Sequence, residues 1–497
     1  MLDLSERIKD NDLVRRVMDP EEVILKIFPK RGSIAFGGMA GTAYPKVIPK
    51  ALYEYITKYG INLDYIIYGG GSTGADFDEY ISKIDIKRKY PFGASSEKLR
   101  KLVNLRTFEV SDLWLYEYSR WIRLGVFERK LGKIDIAVIE ATGITEDGGI
   151  IPSSSVDVTP SFIEAADKIV IELSIIKPQM LGIHDIYLQP LGSPIPIKNP
   201  LDRVGTITYK VPRSKIAAIV ISEYDDSEKI HYSKGSEIDR KVAENVISFL
   251  NEEIEKDPNL KSEYVTLQPA AGPIASLMAE RISELKTNLS IWGEAATINW
   301  LLALSGNVKG ISSSVLYTLP GDKKYRDLFY EEFESFKNHI VLRPYEIANN
   351  PQIMLRFIHI VIQQAIEIDL FGHANITHIG NNLYGGVGGS GDHARSSYLT
   401  IIALPSITSS GIPRIVPFIN HVDIPEHDVD VIVTEQGWAD LRLLSPIERA
   451  KVIINKCAHP SYKDLLEQYL DRLLKEEGHQ PINFTEALSF KKLFSQS

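Results

Sequence analysis

The feature that most constrains this chain is an alternation sustained along its length: short β-branched apolar runs end in glycine-rich or polar turns, and amphipathic stretches follow them. In the first half the strand candidates are SIAFGG (33–38), LDYIIYGG (63–70), IDIAVIEA (134–141) and KIVIELS (168–174). The stretch AYPKVIPKALYEYITKYG (43–60) reads as a helix with Gly60 as its stop. The same grammar restarts at IAAIVIS (216–222) and continues through YVTLQPA (264–270), LSIWGE (289–294), ITHIG (376–380), SYLTIIAL (397–404) and VDVIVTEQG (429–437). Continuous apolar runs of this kind suit strands buried on both faces, so the fold class is α/β.

At 497 residues and 55.8 kDa the chain exceeds what one hydrophobic core usually supports, which predicts two α/β domains. The segment KNPLDRVGTITYKVPRSK (198–215), rich in proline and polar residues, places the boundary so that residues 1–207 form one domain and 208–497 the other. The segment SYKDLLEQYLDRLLKEEG (461–478) reads as a charged amphipathic helix over a sheet face. With 56 basic against 65 acidic residues the net charge is −9, which argues against nucleic acid as the main ligand. An anionic substrate must then be held by local positive potential. The single cysteine, Cys457, rules out a disulfide framework or a cysteine metal site within one chain and fits a cytoplasmic protein. The amino terminus MLDLSERIKDNDLVRRV lacks the apolar core of a signal peptide, and no apolar run reaches the roughly 18 residues of a membrane span.

Two segments fit G-x-G-x-x-G, GGGSTG (69–74) and GVGGSG (386–391), but neither has the expected ribose-binding acid about 20 residues on. GGVGGSGDHAR (385–395) packs five glycines into seven residues and is a candidate oxyanion or phosphate cradle, because small residues let a ligand approach backbone N–H groups. HVDIPEHDVD (421–430) sets two imidazoles among four acids, yet it lacks metal-site spacing and reads as a hydrogen-bonded loop. No G-x-S-x-G elbow is present. Glu294 follows LSIW and one glycine, which predicts that it emerges at the carboxyl end of a strand, where open α/β sheets build their sites. Spacing alone serves equally well for a first-turn carboxylate on a helix EAATINWLLALSG. Glu435, at the end of VDVIVTEQG, carries the same two readings.

The carboxyl-terminal stretches LRPYEIANNP (342–351), GGVGGSGDHAR and INHVDIPEHDVDVIVTEQGWADLRLLSPIERAKVIINKCAHPSY (419–462) closely resemble the acetyl-CoA hydrolase/transferase family, a branch of the class I CoA-transferases. GGMAGTAYPKVIP (37–49), DVTPSFIEAADKIVIE (157–172), GIHDIY (182–187) and RVGT (203–206) extend the resemblance over nearly the whole chain. The resemblance implies a tandem of two open α/β domains with the active site in the cleft between them, usually as a homodimer. It also implies a catalytic glutamate after a strand, which LSIWGEA places at Glu294. The family's CoA-binding segment matches LQPAAGPIA (267–275), so Gln268, Pro269, Ala270 and Gly272 become CoA-binding candidates and Ala271 an oxyanion-hole N–H. The companion N–H falls at Gly389 or Gly388. Arg203, Asn349 and Glu435 match positions that hold the acyl carboxylate or close the site. The family more often has valine where this chain has Ala295, and a serine-glycine-valine run where it has Pro269-Ala270-Ala271. A lysine associated with CoA binding is absent from TSSGIPR (408–414), where Arg414 is the candidate in its place.

The implied activity is CoA transfer between an acyl-CoA, acetyl-CoA or succinyl-CoA, and a small carboxylate such as acetate, through a glutamyl-CoA thioester on Glu294. CoA is then a substrate, and no metal or resident cofactor is called for. Acyl-CoA hydrolysis through the same intermediate is the first alternative, and a non-catalytic CoA- or nucleotide-binding module, with Glu294 as an ordinary cap, is the second.

Overall fold

The apolar runs pair side by side as mainly parallel strands in the computed structural model, which describes residues 4–226 and 235–494. The chain forms two compact units, each discontinuous in sequence. The first comprises Met1–Tyr232, Trp292–Leu301 and Gly310–Ile353; the second comprises Ser233–Ile291, Leu302–Lys309 and Met354–Ser497. The division at 207/208 is thus one along the chain, while the compact units are assembled from interleaved segments.

In the first unit the strands run in the order Glu109–Val110, Asp85–Tyr90, Asp64–Gly69, Arg31–Phe36, Ile134–Ile144, Ala166–Ser174 and Ile216–Ser222. Each pairing along that path is parallel, and Ile150–Pro152 adds antiparallel to Ile134–Ile144. The helix Val47–Tyr59 ends at Gly60, whose φ of 62° supplies the left-handed C-cap expected of it. Its amino end has no cap of its own. Instead the buried Glu172 carboxylate accepts from the backbone N–H groups of Lys46, Val47 and Ile48 at 2.7, 3.0 and 2.7 Å, which satisfies donors that a helix start leaves orphaned.

Beneath this helix start lies a closed ring of four buried charges. Lys177 Nζ bonds Glu140 at 2.6 Å and Asp226 at 2.7 Å, and Lys46 Nζ bonds Asp226 at 2.8 Å and closes the ring on Glu140. Charges sealed this deeply persist only when paired. The ring pins the end of the strand Ile216–Ser222 to the loop after Arg31–Phe36, since Thr42 Oγ1 and the Ala43 N–H also donate to Asp226.

His184 is another sealed polar group of this unit, with Nε2 2.7 Å from the Ser153 carbonyl oxygen. Burial pushes its pKa down to about 4, so the fold holds it neutral where the unfolded chain takes a proton below about 6.5. A depressed imidazole pKa means stability lost as pH falls from the unfolded value towards the folded one. His184→Gln, which keeps a donor for Ser153, should gain about 2 kcal/mol relative to wild type between pH 7 and pH 5. Urea midpoints of both proteins at the two pH values measure this, and a difference that does not change with pH would refute it.

In the second unit Leu289–Ile291, Val265–Gln268, Ile358–Gln364, Leu399–Ala403 and Val431–Thr434 pair in parallel in that order, and Gly437–Asp440 closes the edge antiparallel. The helix Pro460–Leu473 buries Tyr462, Leu466, Tyr469, Leu470 and Leu473 in the core that also contains Ile402, Ile432 and Leu404, as its amphipathic pattern predicts. The run ITHIG forms only the short hairpin arm His378–Ile379, because the pairing with Asn382–Leu383 turns at Gly380.

Candidate active site

The strand Leu289–Thr297 enters from the second unit and continues into the first, carrying Glu294 three residues before its end. Glu294 is therefore a strand residue. The helix expected after it is absent: Ile298–Ser305 winds as a 3-10 segment, so the helix-cap reading of this carboxylate falls. Glu294 is buried to 9 % exposure, and its Oε2 accepts a hydrogen bond of 3.1 Å from Asn349 Nδ2.

Asn349 is fully buried at the carboxyl end of the short helix Tyr345–Ala348. Four residues make only one turn, so tertiary contacts must hold it. The Trp292 indole N–H donates to the Ala348 carbonyl at 2.9 Å, tying the helix end to the strand of Glu294 two residues upstream. Arg123 makes a two-pronged ion pair with Glu346, with Nε to Oε1 at 2.9 Å and Nη2 to Oε2 at 2.6 Å. The Tyr345 hydroxyl donates to the Gly70 carbonyl. Burial pushes the Tyr345 phenol up, and Asp157 and Glu294 add to that shift, so it remains a neutral donor. The Gly38 N–H in turn donates to Asp157 at 2.9 Å. The loops that end the strands Arg31–Phe36 and Asp64–Gly69 thus brace the segment that presents Asn349. This gives GGGSTG a structural role at the site.

Arg343 lies over the Trp292 ring, 5.3 Å from its centroid, and pairs with the buried Asp185. Asp185 also accepts the N–H groups of Val204 and Gly205, at 2.7 and 2.5 Å. Arg203 sits in the loop so held, and its guanidinium donates to the carbonyls of His184 at 3.2 Å and Ile340 at 2.6 Å. The structure therefore sets Arg203 on backbone carbonyls of this clamp. Trp292, Tyr345, Arg343 and Asp185 are positioning residues that the sequence reading did not single out. Their signal was present as polar and aromatic residues inside otherwise apolar strand and turn segments.

The remaining candidates belong to the second unit. After the strand Val265–Gln268 the backbone turns sharply through Pro269, Ala270, Ala271 and Gly272, with φ of 58° at Ala270 and 116° at Gly272. The left-handed alanine costs about 1 kcal/mol, and such observed strain gathers at functional turns. Gln364 Nε2 holds the Ala271 carbonyl at 2.6 Å. Gly388 has φ of 58°, and the buried Gly389 precedes the helix Ser390–Ala394. Among the described residues, the N–H groups of Ala271, Gly388 and Gly389 donate to no protein acceptor. Glu435 accepts from the Ser406 N–H at 2.8 Å, from the Ser406 hydroxyl and from Gln436 Nε2 at 3.0 Å. Arg414 has its Nε buried without a hydrogen-bond partner among the described residues. Burial lowers its pKa, against the pull of Asp239, Glu435 and Tyr384. In HVDIPEHDVD, Asp423 accepts the N–H groups of Ile376 and Thr377 and bonds His421 at 3.0 Å, the hydrogen-bonded loop expected from its spacing.

Comparison with known proteins is consistent along the chain. Residues 1–209 match the acetyl-CoA hydrolase/transferase N-terminal domain and residues 326–470 the acetyl-CoA hydrolase/transferase C-terminal domain. The chain is 38% identical to the succinyl-CoA:acetate CoA-transferase of Clostridium kluyveri, over 99% of this chain and 91% of that protein. It is 33% identical to the acetyl-CoA hydrolase of Schizosaccharomyces pombe, over 96% of this chain and 95% of that one. The crystal structure of RipA from Yersinia pestis shares the fold, with a TM-score of 0.71 at 20% identity, covering 93% of this chain and 98% of RipA. The chain belongs to the acetyl-CoA hydrolase/transferase family. It is an enzyme of the CoA-transferase and acetyl-CoA hydrolase type. Among the described residues, no helix is long and apolar enough to cross a membrane.

Proposed function

We propose that this enzyme moves CoA between an acyl-CoA and a small carboxylic acid through a thioester on Glu294, with acetyl-CoA or succinyl-CoA and acetate as the substrates. The observation that carries the reading is a buried carboxylate held by an amide donor, Glu294 on Asn349, in a chain of this family. Asn349 donates to one oxygen and orients the group for attack, at the cost of some nucleophilicity.

The Glu294 carboxylate adds to the thioester carbonyl and expels CoA thiolate, which leaves an acyl-glutamyl anhydride. The thiolate then attacks the glutamyl carbonyl, releasing the first acid as carboxylate and forming glutamyl-CoA. The second acid reverses the two steps: its carboxylate displaces the thiolate as a mixed anhydride, and the thiolate takes the new acyl group and restores Glu294. Each addition places negative charge on an oxygen, for which the N–H groups of Ala271 and of Gly389 or Gly388, which donate to no acceptor among the described residues, are the proposed donors. Gln268, Pro269, Ala270 and Gly272 are the proposed CoA contacts, and Arg414 a proposed ligand for its phosphates. Arg203 and Glu435 are assigned to substrate holding or closure. CoA enters as substrate, no resident cofactor is invoked, and a cytoplasmic homodimer is the proposed working form.

The hydrolase named among the relatives favours a second reading, in which water attacks glutamyl-CoA and returns Glu294 and free CoA. Isotope-labelled acetate separates the two. With succinyl-CoA and labelled acetate we expect labelled acetyl-CoA in excess of released thiol. Thiol release that is indifferent to acetate, with no labelled thioester, would establish the hydrolase instead.

A further inference from the structure

A five-glycine segment has little in its own side chains to fix its backbone, and glycine carries the largest conformational entropy of any residue. Amides that stabilise a developing oxyanion must nevertheless be held in place beforehand. In the second unit the cluster is tied to its surroundings at several points, among them the Gly385 N–H to the Thr377 carbonyl at 3.1 Å. Ser390 Oγ donates to the Val387 carbonyl at 2.7 Å, and the His393 N–H donates to the Gly389 carbonyl at 3.0 Å. The tie through His393 leads further.

His393 Nδ1 lies 3.1 Å from His359 Nε2, and His359 Nδ1 lies 2.8 Å from Thr266 Oγ1. All three side chains are sealed from solvent, at 0 % exposure. His359 stands on the central strand Ile358–Gln364, and Thr266 on the neighbouring strand Val265–Gln268, which leads into the Ala271 turn. Burial pushes His393 down to about 3 and His359 well below its ordinary value, so both imidazoles stay neutral. Among the described residues, His393 Nε2 has no hydrogen-bond partner. A bare lone pair is tolerated in a protein interior more readily than an orphaned N–H. The proton of His393 therefore belongs on Nδ1, pointing at His359 Nε2, which leaves the proton of His359 on Nδ1 for Thr266. Three side chains form one directed row of hydrogen bonds from the glycine-cluster helix to the strand of the Ala271 turn.

We propose that Thr266, His359 and His393 form a hydrogen-bonded strut that positions the Gly388 and Gly389 amides for the reaction. They act through the backbone and are positioning residues. The assignment rests on the CoA-transfer reading for its kinetic consequence, but not for its structural one.

The test uses the full-length enzyme with His393→Leu, His393→Asn and Thr266→Val. Asparagine can reproduce the Nδ1 donor, leucine fills the space without it, and valine removes the terminal hydroxyl at nearly constant shape. For His393→Leu we expect kcat to fall about 10- to 100-fold, with KM for acyl-CoA within about threefold, as for the loss of donor placement. His393→Asn should recover most of that loss, and Thr266→Val should fall between. Deuterium uptake of the peptide covering 385–393 should rise in the leucine and valine variants and stay near wild type with asparagine. The strut is overturned if His393→Leu keeps wild-type kcat, if kcat and KM fail together, or if asparagine rescues nothing. Should the leucine variant not fold, Thr266→Val decides on the same criteria. Absence of any CoA adduct on the wild-type enzyme would reject the CoA-transfer reading alone, and deuterium uptake would still decide the strut.

Discussion

Glu294→Ala is expected to lower kcat by about 10⁴-fold or more, on the order of 5.5 kcal/mol of transition-state stabilisation, because it removes the carboxyl group on which the proposed CoA thioester forms. The variant should keep its fold, since the change removes no apolar side chain from the core and leaves Asn349, which donates to Glu294 in the wild type, on a helix end held by Trp292. Intact mass after incubation with acyl-CoA supplies the direct readout: wild type gains one covalently bound CoA, and the variant none. Glu294→Asp separates chemistry from placement. It retains the carboxylate but withdraws it by one methylene, and misplacement of about 1 Å costs roughly 10²-fold. An alanine variant that still acquires CoA, or turns over within tenfold of wild type, would move the nucleophile elsewhere.

The second large effect concerns stability. Lys177→Met removes one member of the buried ring formed with Glu140, Asp226 and Lys46, leaving two carboxylates to share one ammonium group. Breaking a buried ion pair by deleting one partner costs about 3–5 kcal/mol, because the remaining charge stays desolvated and uncompensated. We expect a clear fall in the urea midpoint and in soluble yield. The double variant Lys177→Met with Glu140→Gln restores neutrality around the Lys46–Asp226 pair and should recover part of the loss, a coupling that neither change alone predicts. Equal midpoints for Lys177→Met and wild type would show that the ring contributes nothing net.

The strands of the first unit were legible because Ile, Val and Ala dominate Ile134–Ile144 and Ala166–Ser174, and no helix period competes. Asp85–Tyr90, with the sequence DIKRKY, escaped that reading. Its charges belong to exposed positions, except for Lys89, which donates inward to the carbonyls of Pro91 and Gly93 at 3.2 and 3.0 Å. Ile358–Gln364 escaped for a related reason: a strand buried on both faces carries His359 and Gln363, polar residues satisfied only by partners distant in sequence. The stretch after Glu294 misled in the opposite sense. A mostly apolar run, AATINWLLALSG, has no clear periodicity with which to choose helix or strand, and tertiary packing extends the strand to Thr297. Family resemblance pointed to Glu294 and Asn349. What the sequence could not display was the brace around them, because the contacts of Trp292, Tyr345, Arg343 and Asp185 join residues 56, 275 and 158 positions apart.

The interleaving of the two units also sets a timetable for synthesis. The first unit takes its last segment from Gly310–Ile353, so it cannot be completed while residues 233–353 are still being made. At ribosomal speeds of about 5–20 residues per second that interval lasts roughly 6 to 24 seconds. Through most of it the buried ring of charges can already close, whereas Glu294, once made, waits for Asn349. On the proposed mechanism a growing chain therefore carries no assembled nucleophile, because Glu294 is made before its Asn349 partner and the Gly388 and Gly389 amides are made later still.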